Sequence, residues 1–451
     1  MGGTATARIG VDVGGTFTDL VLHDQARDLV ATGKLLTTPD DPSEAIIAGI
    51  QRLLSETGLT TADLHSIVHG TTLVTNTVIE RTGARIGLLT TAGFRDVIEI
   101  GRETRYDLYD LFLEAPPTLV PRHRRLEIAE RIDSDGQVLL ALDEAAVRDA
   151  VRRLVEEEGI EALAVGFLHS YRNGRHEQRV AEIVHELYPS LPLSLSSRVA
   201  PEIREFERIS TACANAYVQP LMRRYLDRLE AKLASLGFRG RLLIMLSGGG
   251  IASVRDAKDY PIRLIESGPA AGAMAASFIA RLAGLDHVVS YDMGGTTAKM
   301  CLVENGAPDR KFDFEAGRVR RFVKGSGLPL KVSVVDMIEI GAGGGSIARV
   351  EEGSGLMKVG PRSAGAKPGP ICYGRGGTEP TVTDSDLVLG RLDPGYFLGG
   401  EMQLNVQAVQ DAIESKLAAK LNVPRDTAAL GIRRIVDETM AAATRMHLAE
   451  K

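Results

Sequence analysis

Two stretches decide the reading of this chain: IGVDVGGTFTDLVLHD at residues 9–24 and VSYDMGGTTAKMCLVE at residues 289–304. Laid over each other at an offset of 280 residues, Asp12 falls on Asp292, Gly14 on Gly294, Gly15 on Gly295, Thr16 on Thr296 and Leu22 on Leu302. Each is an apolar run, then Asp-x-Gly-Gly-Thr, then a second apolar run, which is the pattern of a strand, a tight glycine turn and a returning strand. One such hairpin is a common turn. Two copies in the same context, one in each half of the chain, mark an internal repeat.

The residue types in the repeated turn suit a phosphate. Glycines let the backbone lie close to an anion with its N–H groups pointing inward, and the threonine hydroxyl adds a donor. The strand-end aspartate would repel a phosphate directly, so its partner is expected to be a divalent cation, Mg²⁺, held through water. Asp12 and Asp292 are therefore the expected catalytic and metal-organising residues. Gly14, Gly15 and Thr16 with Gly294, Gly295, Thr296 and Thr297 are the expected cradle, gripping the β- and γ-phosphates of ATP from two sides.

Working outward, 451 residues are too many for one core, since cores stop growing near ~250–300 residues. Basic and acidic residues number 53 and 59, for a net charge of −6, and they are mixed along the sequence. No basic stripe offers a footprint for nucleic acid. The run Arg122-His123-Arg124-Arg125 reads as a solvated face. No apolar run approaches the ~20 residues of a membrane span. Cys213, Cys301 and Cys372 stand far apart without a C-x-x-C pair, which argues against a disulfide framework or a cysteine zinc site and fits a cytoplasmic protein. The histidines lack zinc-site spacing, and no G-x-S-x-G nucleophile pattern occurs.

Strands and helices alternate through the first part of the chain, with helices expected near 42–57, 72–81 and 142–158 and strands at 66–69, 86–90 and 162–168. That alternation argues a layered α/β sheet with mixed pairing. The long amphipathic stretch 201–236, broken only by Pro220, is expected to cross between two lobes. Residues 305–400 read as β insertions and binding loops, and residues after 405 as helical.

At this point the sequence resembles a narrower group. DVGGTFTDLVL, HGTTLVTNTVIERTG (69–83), FLHSYRN (167–173), PEIREFERISTACANAYVQP (201–220), ESGPAAG (266–272), DMGGTTAKM (292–300), EIGAGGGSIA (339–348) and KPGPICYGRGGTEPTVTDSDLVLGRL (367–392) are similar to hydantoinase A/oxoprolinase proteins. The resemblance runs in order through nearly the whole chain. It implies an actin-like (sugar kinase/Hsp70) two-lobed α/β fold with β-rich insertions, with a first lobe over 1–195 and a second over 196–451. It implies an ATP-using A subunit of an amide or lactam-ring hydrolase of hydantoinase type, which phosphorylates the carbonyl oxygen of a small cyclic amide. A hydantoinase B-type subunit in a hetero-oligomer would complete the reaction. Two other functions stay open: a subunit of an ATP-dependent ketone carboxylase, and a non-catalytic nucleotide-dependent scaffold.

Other polar features are open at this stage. The glycine run 341–345, including Gly343 and Gly344, is either a phosphate contact or a structural turn, and Ser247–Gly250 reads as a tight strand-to-helix turn. His69 and Asn76 are either substrate contacts or satisfied core groups. Arg102 is either a substrate-binding cation or an ordinary ion pair. Finally, Leu430, Ile432, Ile435, Val436, Met440, Ala443 and Met446 recur at helical spacing. The resemblance implies a further glycine turn and strands after them, and Leu398-Gly399-Gly400 comes too early to be that turn. The second lobe is therefore expected to be incomplete, with this apolar stripe exposed and ATP bound weakly.

Overall fold

The computed structural model describes residues 5–38, 40–103, 105–320 and 323–451. The fold is mixed α/β and actin-like in class, and the chain packs as two compact units. One comprises residues 1–65, 268–309 and 335–451; the other comprises 66–267 and 310–334.

In the first unit the chain opens as a meander. Strand Ala7–Val13 pairs antiparallel with Phe17–Asp24, which pairs antiparallel with Leu29–Leu36. The first strand alternates strictly, with Ala7, Ile9, Val11 and Val13 buried and the residues between them exposed, as period-2 side-chain geometry requires. Helix Pro42–Thr57 follows. Asp41 caps its first turn by accepting from Ser43 N, Pro42 opens it, and Gly58 ends it in the left-handed conformation. Its buried face, Ile46, Ile50, Leu53 and Leu54, lies over the meander. Gly49 is required there, because a Cβ would stand 2.4 Å from a Leu20 methyl.

The second hairpin belongs to the same unit. Strands His287–Met293 and Ala298–Glu304 pair antiparallel, and Met337–Ile340 pairs antiparallel on the far side of Ala298–Glu304. The repeat seen in the sequence is reproduced in register: Asp12 faces Asp19 and Val13 faces Thr18, as Asp292 faces Lys299 and Met293 faces Ala298. Both turns close with the same bond, Gly14 N to Phe17 O and Gly294 N to Thr297 O, each 2.9 Å.

A second core of this unit gathers Ile340, Ala348, Val382, Leu387, Val409, Ile413 and the C-terminal helix Arg425–Ala449. This corrects the expectation for the apolar stripe. Ile432, Val436, Met440 and Ala443 are buried, and only Met446 and Leu448 at the helix end are exposed. The helix finds its cover in strands Ala298–Glu304 and Met337–Ile340 and in residues 346–418.

The other unit carries a parallel sheet in the order 193–195, 162–166, 86–91, 125–128. These strands read as nearly continuous apolar runs because both faces are covered; all five residues of Ala162–Gly166 are buried. The long helix runs from Glu205 to Ser235. It does not bridge the two units but falls wholly within this one. Every residue from Glu207 to Pro220 is buried, so the first half is enclosed on all sides rather than amphipathic. Among the described residues, no helix is long and apolar enough to cross a membrane.

Candidate functional site

The two glycine turns lie together in the first unit. A Cβ on Gly295 would sit 3.0 Å from Thr16 Oγ1, so the threonine of one turn rests against the second glycine of the other. One helix, Ser267–Ala283, positions both aspartates. A Cβ on Gly268 would meet Asp12 Oδ1 at 2.7 Å, and a Cβ on Gly272, one turn later, would stand 3.9 Å from Asp292 Oδ2. Residues four apart share a helix face, so this glycine pair in ESGPAAG lets two carboxylates approach one stretch of helix backbone.

The electrostatics follow from that crowding. Asp12 keeps contact with solvent, yet protein atoms surround enough of its carboxyl that its charge is only partly hydrated. Its pKa is raised from 3.8 to about 6, first by this desolvation and then by the nearby charges of Asp19 and Asp292, with Lys34 acting in the opposite direction. Lys34 is committed to Asp19, which it meets at 2.6 and 2.9 Å, and lies over the Phe17 ring. Asp12 and Asp292 thus share a site in which negative charge is under-compensated.

Each turn is braced from outside. Thr37, just past the third strand, donates its hydroxyl to Gly14 O and its N–H to Thr16 O, both at 2.9 Å, and its hydroxyl lies 3.0 Å from that of Thr18. The second turn is braced by the 341–345 loop: Gly344 N donates to Gly294 O at 3.0 Å and Gly345 N to Gly295 O at 2.6 Å. Gly343 N donates to Ser346 Oγ at 2.9 Å. The amides of Gly343 and Gly344 are therefore spent on structure, as the turn alternative describes. There is no room for a side chain at Gly343, where a Cβ would lie 2.7–2.8 Å from the backbone of Gly294–Thr296. Thr383 fixes the loop in turn, donating its N–H and hydroxyl to Gly344 O. Among the described residues, the amides of Gly15, Thr16, Gly295 and Thr296 make no hydrogen bond, so the four donors at the turn tips remain available to an anion.

The remaining expected residues belong to the other unit. His69 is fully buried on strand Leu64–Thr71, its Nε2 2.8 Å from Tyr225 Oη; this is the arrangement of a core histidine. Asn76 is half-buried on helix Leu73–Glu80. Arg102 Nε forms an ion pair with Glu207 Oε1 at 2.5 Å, with half of the side chain in solvent. The structure does not bring these three together.

Among the described residues, no cluster of three or more His, Cys, Asp or Glu side chains is arranged to hold a metal. Two carboxylates alone fit a hard, oxygen-seeking cation that takes the rest of its ligands from phosphate and water, and the raised pKa of Asp12 is what a cation at that point would relieve.

The sequence matches the hydantoinase/oxoprolinase family over residues 208–451 and the N-terminal region of that family over residues 8–188. It is 40% identical over 98% of its length to an uncharacterized protein of Methanocaldococcus jannaschii, of which it covers 65%. It is 39% identical to the caprolactamase alpha subunit of Pseudomonas jessenii, over 97% of this chain and 62% of the relative. It is 38% identical to the acetophenone carboxylase gamma subunit of Aromatoleum aromaticum, over 96% of this chain and 60% of the relative. The solved structure of nucleotide-free acetone carboxylase superposes with a TM-score of 0.83 at 29% identity, over 98% of this chain and 63% of that one. The ATP-dependent caprolactamase of P. jessenii gives 0.79 at 38% identity, over 97% and 63%. The chain thus spans 60–65% of the length of these relatives. On the strength of these matches, the chain belongs to the hydantoinase/oxoprolinase family.

Proposed function

We propose that this chain supplies the ATP-handling part of an enzyme that activates a carbonyl oxygen by phosphorylation, with a small cyclic amide as substrate. The single observation that carries this reading is the pair of Asp-x-Gly-Gly-Thr turns set against each other with their free amides at the tips and both aspartates over one helix. The amides of Gly15 and Thr16 would bind phosphate from one side and those of Gly295 and Thr296 from the other, while Gly14 and Gly294 close the turns and Thr297 adds its hydroxyl. Asp12 and Asp292 would hold Mg²⁺, which would supply charge neutralisation at the transferring phosphoryl group. Catalysis of such a transfer is mostly positioning and electrostatics, which is what the braces on each turn serve.

The reaction that suits this site moves the γ-phosphoryl group of ATP to the amide oxygen, leaving ADP. The amide carbon then accepts water, the C–N bond opens, and phosphate leaves. A companion subunit of hydantoinase B type would carry out the second stage. Relatives bear the names of alpha, beta and gamma subunits, which supports a hetero-oligomer. So does a loop of the other unit in which Leu108, Tyr109, Leu111 and Phe112 stand in solvent while Arg320 pins Asp107 and Asp110 beneath them.

A second reading, a ketone carboxylase, is favoured by the likeness to acetophenone and acetone carboxylases. The experiment is an ATP-turnover screen of the purified complex over hydantoins, lactams, 5-oxoproline and ketones, the last with and without bicarbonate. Lactam-stimulated turnover is expected. Turnover only with a ketone plus bicarbonate moves the assignment to the carboxylase, and no stimulation by any substrate defeats both.

A further inference from the structure

The enclosed first half of helix Glu205–Ser235 carries Glu207, Arg208, Ser210, Thr211, Asn215 and Gln219, all buried. A buried polar group left without a partner is costly, so each is expected to be paired. Arg208 donates to Ser196 Oγ, Glu202 O and Phe167 O. Thr211 Oγ1 donates to Glu207 O and accepts from the Lys331 amide. Asn215 and Gln219 both donate to Asp259 O. Two atoms break the rule: Glu207 Oε2 and Ser210 Oγ are buried and bonded to nothing among the described residues. Three residues apart, they lie on one face of one helical turn.

A second observation shows how a ligand would reach them. Gly101 (φ 59°) lies against the Phe206 ring, 3.2 Å from where its Cβ would stand, and this close approach delivers Arg102 to the next residue of the helix. Arg102 Nε donates to Glu207 Oε1, and among the described residues its two terminal nitrogens make no hydrogen bond. Half of the Arg102 side chain is in solvent, whereas Glu207 is 8% exposed. Lys331 does not compete for the carboxylate, since its Nζ lies 2.5 Å from Asp313 and 3.6 Å from Glu202. All these residues belong to the unit formed by 66–267 and 310–334. The ion pair thus keeps one carboxylate oxygen, which when ionised only accepts, and terminal guanidinium N–H groups, which only donate.

We infer that Arg102, Glu207 and Ser210 form a recognition edge for a ring amide: Glu207 Oε2 accepts from the amide N–H, while the Arg102 terminal nitrogens and the Ser210 hydroxyl donate to its carbonyl oxygen. The match depends on the ring. An open-chain secondary amide is trans and turns its N–H and C=O to opposite sides, but closure of a small ring forces the amide cis and sets both on one edge. A ketone brings an acceptor alone and would leave Glu207 Oε2 an orphan, so this edge selects a lactam over a ketone. The inference rests on the cyclic-amide reading above and assigns its substrate choice to named residues.

The test measures dissociation constants by ligand-observed NMR on the purified chain, without nucleotide. The probes are 2-pyrrolidone, 2-piperidone and ε-caprolactam, their N-methyl derivatives, and the ring ketones of the same size. At least one lactam is expected to bind tenfold or more tighter than its N-methyl and ketone counterparts. Glu207→Gln should bring those ratios within about twofold, because its carbonyl is taken by Arg102 Nε and its NH₂ then faces the ring N–H, donor against donor. Arg102→Lys and Ser210→Ala act at the carbonyl end, so they should weaken lactam and ketone alike and leave the N-methyl preference intact. Unchanged melting of each variant establishes that it is folded. Equal binding of lactam and N-methyl lactam, a preference that survives Glu207→Gln, or no binding of any probe overturns the inference. None of these readouts uses ATP, so the turnover screen judges the cyclic-amide reading separately: lactam-stimulated turnover that N-methylation does not weaken would keep that reading and discard this edge.

Discussion

Asp12 illustrates what a carboxylate held in a crowded turn costs the fold. Its pKa, raised from 3.8 to about 6, means the folded chain prefers the neutral acid. That preference adds stability fully below pH ~4, and the contribution is lost as pH rises through about 6. Asp12→Asn is therefore expected to melt at or above the wild-type temperature at pH 7 and to match it at pH 4, while substrate-dependent ATP turnover falls at least ~100-fold. Calorimetric melting across that pH range, with turnover at pH 7.5, checks both halves. A clear loss of stability at pH 7 would show the carboxylate to be a structural anchor. Asp292→Asn should lower turnover similarly. Gly343→Ala drives a methyl group into the backbone of the second turn and should cost about 1–3 kcal/mol, read from denaturant midpoints. The two turns, with their aspartates and glycines in matching register, were legible in the sequence because the pattern is local and repeated. Thr37, Gly268 and Gly272 were not, because their role depends on which distant backbone they approach. The spacing of Gly268 and Gly272 by one helical turn was the only trace. The glycines at 343 and 344 show the opposite: a glycine run signals close approach, and here the approach is to the 294–296 turn.

At the scale of elements, alternating burial and capping residues made the hairpins and the Pro42–Thr57 helix readable. The C-terminal helix was readable as a helix, but its cover was not. Its apolar stripe called for a partner surface, and the surface is assembled from strands Ala298–Glu304 and Met337–Ile340 and from residues 346–418, segments joined by loops that carry no periodic signal. Ile432→Ala should accordingly cost about 2–5 kcal/mol, as for a packed core position, whereas Met446→Ser, at an exposed site, should stay within about 0.5 kcal/mol. Chemical denaturation of the two variants side by side is the check. Equal, small effects would mean the stripe is not packed as described.

Across the whole molecule, the three cysteines are free and buried, and burial raises the thiols of Cys213 and Cys301 to about 12 and that of Cys372 further. Native protein is expected to be inert to a thiol-reactive chromophore and to release three equivalents only on unfolding, with no mobility change on non-reducing gels. A thiol that reacts at once in native protein would contradict the burial. The division into units was the least legible level. The chain passes between them four times, at 65, 267, 309 and 334, and no change of composition marks those points. That interleaving governs the order in which a nascent chain can complete its parts. Most of the second unit is one uninterrupted run, residues 66–267, able to close as soon as it leaves the ribosome. The first turn, residues 14–16, emerges long before it, yet its counterpart at 294–296 and the loop that braces that counterpart lie hundreds of residues downstream. At ~5–20 residues per second the first turn waits tens of seconds for its counterpart. During synthesis the chain therefore holds most of one body and only one of its two glycine turns until translation is past residue 345.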